Sequence, residues 1–326
     1  MVDDIIHVCL SNPWGSFFVL LVITSNYSNP NPITMKQYLT LFVCVFLMAC
    51  GSSKPLTQSP IDAIEGRLCC AMANQTAFAA FVDDADFVAQ HLDPEPLVFI
   101  SQAGGEDIRF ATPDGQEAGA FQIKAKEETD YYLLVFHEWW GLNEHIRQEA
   151  EKYYQALGGK VNVLAIDMYD GLIATNAQDA GSYMQNAKPE RLQAIIQGAL
   201  GLAGSKARIA TVGWCFGGGL SLNASLAAQA QSVACIIYYG MPISDQTQLA
   251  PLKGEVLGIF AKKDGWITQK VVTEFEQSLK ALKKPANIYM YDADHAFANP
   301  SNPKYKKDDA DDAFNKSIAL LKKFVK

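Results

Sequence analysis

The chain has 326 residues and a formal net charge of −8. That length gives room for a large core in one α/β domain or two. With an acidic balance and no basic stripe, the composition argues against nucleic acid as a partner. Residues 1–34 mix apolar and turn residues and suggest no convincing element. From Met35 the pattern changes. Met35-Lys36-Gln37 supplies a basic start, residues 39–49 a short apolar run, and Leu47-Met48-Ala49-Cys50 a small-residue cleavage site. This reads as a signal peptide over residues 35–49. The apolar run is too short to span a bilayer comfortably. Residues 1–34 are then an upstream extension, with Met35 as the true start.

Cys50 resembles the lipidated first residue of a bacterial lipoprotein. The expected location is the cell envelope, on the periplasmic side, with the membrane reached through an N-terminal lipid. Residues 50–95 read as a tether followed by a short helical segment over 74–92, ended by Asp93-Pro94-Glu95-Pro96. Residues 96–326 form the main domain. Of the other cysteines, adjacent Cys69 and Cys70 are poorly placed to bond each other. Cys235 lies inside an apolar run and reads as core. No spacing suggests a zinc site, and no metal or organic cofactor is called for.

The main domain opens with residues 97–101, 106–112 and 119–124, read as antiparallel strands, with Pro113-Asp114-Gly115 as a turn. From residue 131 strands and helices alternate. Strands are expected at 131–136, 161–168, 208–214, 233–239, 256–261 and 287–291. Helices are expected at 143–157, capped by Asn143, and at 177–186, 189–202, 220–230, 268–283 and 309–324. Such alternation implies a mainly parallel sheet covered by helices on both faces, with active groups beyond the carboxyl ends of the strands.

The stretch Gly213-Trp214-Cys215-Phe216-Gly217 sits between an apolar strand and a helix. It has the form of a nucleophile elbow, a strained turn that lifts one side chain above a sheet. The glycines are needed because a Cβ there would collide with neighbouring elements. At a helix N-terminus, the dipole favours a thiolate on Cys215. The alternative is a buried structural cysteine before a glycine-rich bend. A thiol nucleophile needs a base, and the base an orienting acid. His295 follows the strand 287–291, and Asp264 follows the strand 256–261. Asp292 and Asp294 rank lower as acids, being too close to His295 in sequence to reach around its ring. After the strand 131–136 comes His137-Glu138-Trp139-Trp140-Gly141. The N–H groups of Trp139 and Phe216 would form an oxyanion hole, and burial should raise the pKa of Glu138. His137 reads as a satisfied core histidine. Trp140, Trp214 and Trp266 are candidate pocket walls.

From about residue 110 to the end, the sequence resembles the dienelactone hydrolase family. The residues that carry this are His137-Glu138-Trp139-Trp140-Gly141, Asp167-Met168-Tyr169, Gly213-Trp214-Cys215-Phe216-Gly217-Gly218, Asp264 and Asp294-His295-Ala296-Phe297. The resemblance implies an α/β-hydrolase fold and a Cys215–His295–Asp264 triad. It also implies that Glu138 contacts the resting thiol and helps to deprotonate it once substrate binds. The expected activity is hydrolysis of a small-molecule carboxylic ester or lactone through an acyl-enzyme. Family members that cleave dienelactone carry an arginine four residues after the histidine, and here that position is Asn299. A lipoprotein that keeps the fold only to bind ligands is the alternative from another class.

Overall fold

The computed structural model describes the backbone of residues 7–12 and 15–20 and all of residues 72–325. Cys50, Cys69, Cys70 and the expected signal peptide lie outside the described residues. The chain divides into two compact units, residues 1–56 and 57–326. In the first, β1 (His7–Asn12) pairs antiparallel with β2 (Gly15–Leu20), a hairpin where the sequence suggested no element. Apolar residues alternate too poorly there to signal a strand. Among the described residues, no helix is long and apolar enough to cross a membrane.

The second unit is built on an eight-stranded sheet. Its strands are β3 (Glu106–Ala111), β4 (Glu117–Ile123), β5 (Tyr131–Phe136), β6 (Asn162–Ile166), β7 (Arg208–Trp214), β8 (Ser232–Tyr238), β9 (Glu255–Ala261) and β10 (Ala286–Tyr291). They lie in the order β10-β9-β8-β7-β5-β6-β4-β3. The run from β10 to β6 is parallel, while β4 is antiparallel to β6 and β3 to β4. The near-continuous apolar sequence of β5, β7, β8 and β9 fits strands buried on both faces.

The helices are α1 (Ala73–Ala79), α2 (Ala85–Gln90), α3 (Glu144–Ala156), α4 (Ala177–Asn186), α5 (Pro189–Ala203), α6 (Phe216–Ala228), α7 (Gln246–Leu249), α8 (Gln269–Ala281) and α9 (Lys307–Lys322). Side-chain caps start several of them: Asn143 accepts from Ile146 N–H, Asn176 from Asp179 N–H and Thr268 from Val271 N–H. Alternation along β7 shows that both faces are covered. Thr211 donates to Ser221 C=O on α6, whereas Trp214 meets Tyr153 of α3, whose ring also meets Phe314 of α9.

Residues 97–101 are not a strand. Their neighbourhood finds other partners for its backbone: the buried Glu151 carboxylate accepts from Gln102 N–H, and Ser101 Oγ from Gly105 N–H. The helical segment grouped with the tether belongs to the second compact unit. Phe78 and Phe87 from it are fully buried there. Cys235 is free and buried, as expected of a core residue.

The elbow is where packing is tightest. A Cβ on Gly213 would stand 2.0 Å from Gly217 C=O, and one on Gly217 would stand 2.3 Å from the carbonyls of Phe136 and His137. Neither obstacle is a flexible side chain. Gly213→Ala should therefore cost about 2 kcal/mol or more, as forced overpacking does. Urea unfolding that gave a midpoint equal to wild type would refute this account of the turn.

Candidate active site

Four loops deliver the candidate residues, each leaving the carboxyl end of a parallel strand: β5, β7, β9 and β10. Cys215 sits between β7 and α6 with φ 57° and ψ −120°, in a region that residues with side chains rarely occupy. Two backbone bonds hold the turn, from Cys215 N–H to Tyr238 C=O and from Gly218 N–H to Cys215 C=O, both 3.0 Å. The strained backbone is thus fixed by the sheet on one side and the helix on the other.

His295 Nδ1 donates to Asp264 Oδ2 at 2.6 Å, and both side chains are buried. Asp264 is oriented in turn by the N–H groups of Trp266 and Ile267, each 2.9 Å from Oδ1. Burial alone would raise the Asp264 carboxyl, but the charge and hydrogen bond of His295 hold it below its usual value. For His295 burial pulls downward, but the charge and hydrogen bond of Asp264, together with Cys215, more than offset it and lift the imidazole to about 10. The rival acids are occupied elsewhere: Asp292 pairs with Lys263 and Asp294 with Lys304. Asp264 is therefore the acid that the fold brings to the histidine.

Glu138 is buried, and that burial lifts its carboxyl to about 7 against the opposing pull of His295, Asn299 and Tyr239. Its Oε2 accepts from Asn299 Nδ2 at 2.6 Å. His137 donates from Nδ1 to Glu138 C=O and accepts at Nε2 from Met168 N–H, so it is a satisfied core histidine. A cleft beside Glu138 is lined by Trp140, Trp214, Tyr239, Asn299 and Ser301 among others. Trp266 is not in that lining; it stands edge-on to His295 and to Phe87 and donates through Nε1 to Asp84.

Two features differ from the sequence reading. The thiol's hydrogen-bond partner is His91, whose Nε2 stands 3.8 Å from Sγ, while Glu138 is engaged by Asn299. And the thiol is raised, not lowered: burial pushes it up, with the charge of Glu138, against His295 and the Phe216 N–H. The helix N-terminus is present, but full burial outweighs it. His91 closes the turn after α2, and nothing in its surroundings marked it as a site residue. One ring nitrogen from each of His91 and His295 lies within 4.8 Å of Sγ and of the other. Among the described residues this is also the one His, Cys, Asp and Glu cluster compact enough to hold a metal ion.

The fold and the cysteine elbow define the class as α/β-hydrolase. The model of the dienelactone hydrolase family matches residues 119–325. The chain belongs to that family and is a carboxylic ester hydrolase. It is 25% identical over 206 residues to Protein usf of Aquifex pyrophilus, covering 59% of this chain and 88% of that one. It is 25% identical over 259 residues to a putative carboxymethylenebutenolidase of Saccharolobus solfataricus, covering 67% and 98%. The crystal structure of a putative dienelactone hydrolase from Klebsiella pneumoniae superposes with a TM-score of 0.59 at 21% identity, covering 68% of this chain and all of that one.

If Asp264 orients His295, Asp264→Asn should keep the fold and lower kcat by about 10³-fold or more, because the wrong tautomer then faces the thiol. A tenfold loss or less on an aryl ester would show that the pair is not used this way.

Proposed function

We propose that the chain hydrolyses small carboxylic esters or lactones through a Cys215 acyl-enzyme, with His295 and Asp264 completing the triad. The observation that carries this is the buried 2.6 Å pair of His295 and Asp264 beside a cysteine on a strained elbow. With Nδ1 committed to Asp264, Nε2 is the nitrogen left to serve the thiol. Glu138, with a pKa near neutrality, is the group suited to take the thiol proton. The thiolate is then matched by the imidazolium of His295. It attacks the carbonyl carbon, and the N–H groups of Trp139 and Phe216 hold the oxyanion. His295 gives its proton to the departing alkoxide. It then takes one from water as that water attacks the thioester; the Cys215 thiolate leaves, Glu138 returns its proton to it, and the acid product departs.

The cleft beside Glu138 supports a substrate without a free carboxylate. Its lining includes Glu138 and Glu149 but neither lysine nor arginine. A carboxylate placed there would face the carboxyls of Glu138 and Glu149 with no lysine or arginine to pair it. Dienelactone therefore fits poorly, and a neutral ester or lactone fits better.

Cys215→Ala should abolish turnover of an aryl ester; activity left at the wild-type level would defeat the proposal. The pH profile of kcat/KM should rise as Glu138 loses its proton near 7 and fall as His295 loses its own near 10. The sign follows from the roles: the carboxyl must be charged to accept a proton, and the imidazole must be protonated to donate one. Glu138→Gln should remove the acid limb together with most of the rate. If that limb stays at the same pH in the variant, Glu138 is not the group responsible.

A further inference from the structure

Cys215 and Tyr239 have no exposed surface, and His295 is 1% exposed. A nucleophile so placed cannot meet a substrate without movement of whatever covers it. The cover comes from residues 72–91, which precede the part of the chain that matches the family, residues 119–325. Phe87 packs on Trp139, Trp266 and His295 at ring distances of 5.5, 5.1 and 6.2 Å. His91 lies against Trp139 at 4.7 Å and His295 at 5.1 Å.

We infer that residues 80–91 are a cap over the nucleophile and that His91 is its positioning residue, the acceptor that holds Cys215 as a thiol until the cap lifts. The inference rests on Cys215 being the nucleophile proposed above. His91 Nδ1 donates to Phe87 C=O at 2.7 Å, which fixes the tautomer and leaves Nε2 as an acceptor. The thiol donates its proton toward that nitrogen at 3.8 Å. Burial and the nearby His295 hold His91 down at about 3, so it accepts a hydrogen bond without taking the proton. It thus competes with Glu138 for the same S–H.

The polar contacts show which part moves. Helix α1 is anchored deeply: Asn74 Nδ2 donates to Met241 C=O at 3.0 Å, and Asn223 Nδ2 donates to Asn74 Oδ1 at 3.0 Å. Beyond it one part-buried bond, from Asn302 Nδ2 to Gln90 C=O at 3.3 Å, is joined by fastenings at the surface. Trp266 Nε1 donates to Asp84, Gln185 Nε2 to Asp83 and Lys304 Nζ to Gln90. Such exposed bonds are each weak and exchange readily with water. The junction where α1 gives way to the 3-10 turn at residue 80 is the natural hinge. The titratable groups facing the thiol are His91 from the cap and, from the domain, His295, Asp264, Glu138, Tyr239 and Tyr169. When the cap lifts, only the domain's groups remain. Glu138 then receives the proton, and the thiolate is left beside the imidazolium of His295.

The test is alkylation of Cys215 by iodoacetamide in the folded full chain with EDTA present, followed by peptide mapping across pH. Wild type should react slowly. His91→Ala should react about tenfold faster, the factor a single lost hydrogen bond gives, with the midpoint of its rate–pH curve shifted to lower pH. His91→Gln, which keeps an acceptor oxygen, should return toward the wild-type midpoint. Asp84→Ala, which removes both the Trp266 bond and the N-cap of α2 but keeps His91, should also speed labelling. Equal rates and midpoints in wild type and His91→Ala would overturn the role of His91. If His91→Ala fails to fold, an unchanged labelling rate in Asp84→Ala overturns the cap. Turnover of an aryl ester by Cys215→Ala would instead defeat the catalytic reading, whatever the labelling shows.

Discussion

The structure depends on one steric constraint, the approach of α6 to the end of β5 at the elbow. Gly213, Gly217 and the carbonyls of Phe136 and His137 come so close that no side chain fits among them. Only with that contact made can Cys215 stand at a positive φ above the sheet. The same contact fixes where β5 ends, and so where Glu138 and the Trp139 N–H emerge. Cys215, Glu138 and the N–H groups of Trp139 and Phe216 are therefore placed by one backbone packing event. The strain at Cys215 persists because sheet and helix both hold it.

The electrostatics of the site follow from burial acting on groups of opposite kind. Without a partner, burial suppresses charge, and it raises both Glu138 and Cys215. Where two groups can share a proton at 2.6 Å, as Asp264 and His295 do, the pair keeps its charges inside the core. One site thus holds a charged pair beside two groups kept nearly neutral. That arrangement keeps the proton on the thiol, and Glu138 can accept it only once its own carboxyl ionises near 7. It also keeps water away from the thiol in the resting state.

Much of this was legible in the sequence because it is local or topological. β7, the helix over residues 177–186 and the Asn143 cap follow from apolar runs and capping residues. Asp264 and His295 were found because α/β topology sends every loop after a parallel strand to the same edge. Residues 97–101 misled, since alternating apolar residues signal a strand only where a partner edge is free. The chain just beyond them is held instead by Glu151, which accepts from Gln102 N–H. His91 was invisible for a different reason. It reaches Cys215 across a separation of 124 residues, carried on a segment with no strand to place it. Nothing in its neighbours distinguishes a histidine that ends a short surface helix from one that closes over a catalytic thiol.

The cap and the protonation of the thiol are, on the inference drawn above, two views of one free energy. A contact that favours the thiol form when the cap is down is, by linkage, a contact that favours the cap when the thiol is protonated. Removing the proton removes the donor and leaves a buried thiolate facing the lone pair of His91. That repulsion pushes the tip away, while α1 stays fastened through Asn74. Substrate acts in the same direction, since it competes for the place that Phe87 and His91 hold against His295 and the thiol, and gives the thiolate an electrophile. Besides surface bonds of small net strength, the tip is held by the buried Phe87 ring, so lifting it also requires an apolar replacement for that ring's partners, which a substrate can supply. The domain that matches the family carries the chemistry, and the segment ahead of it sets when the chemistry is available.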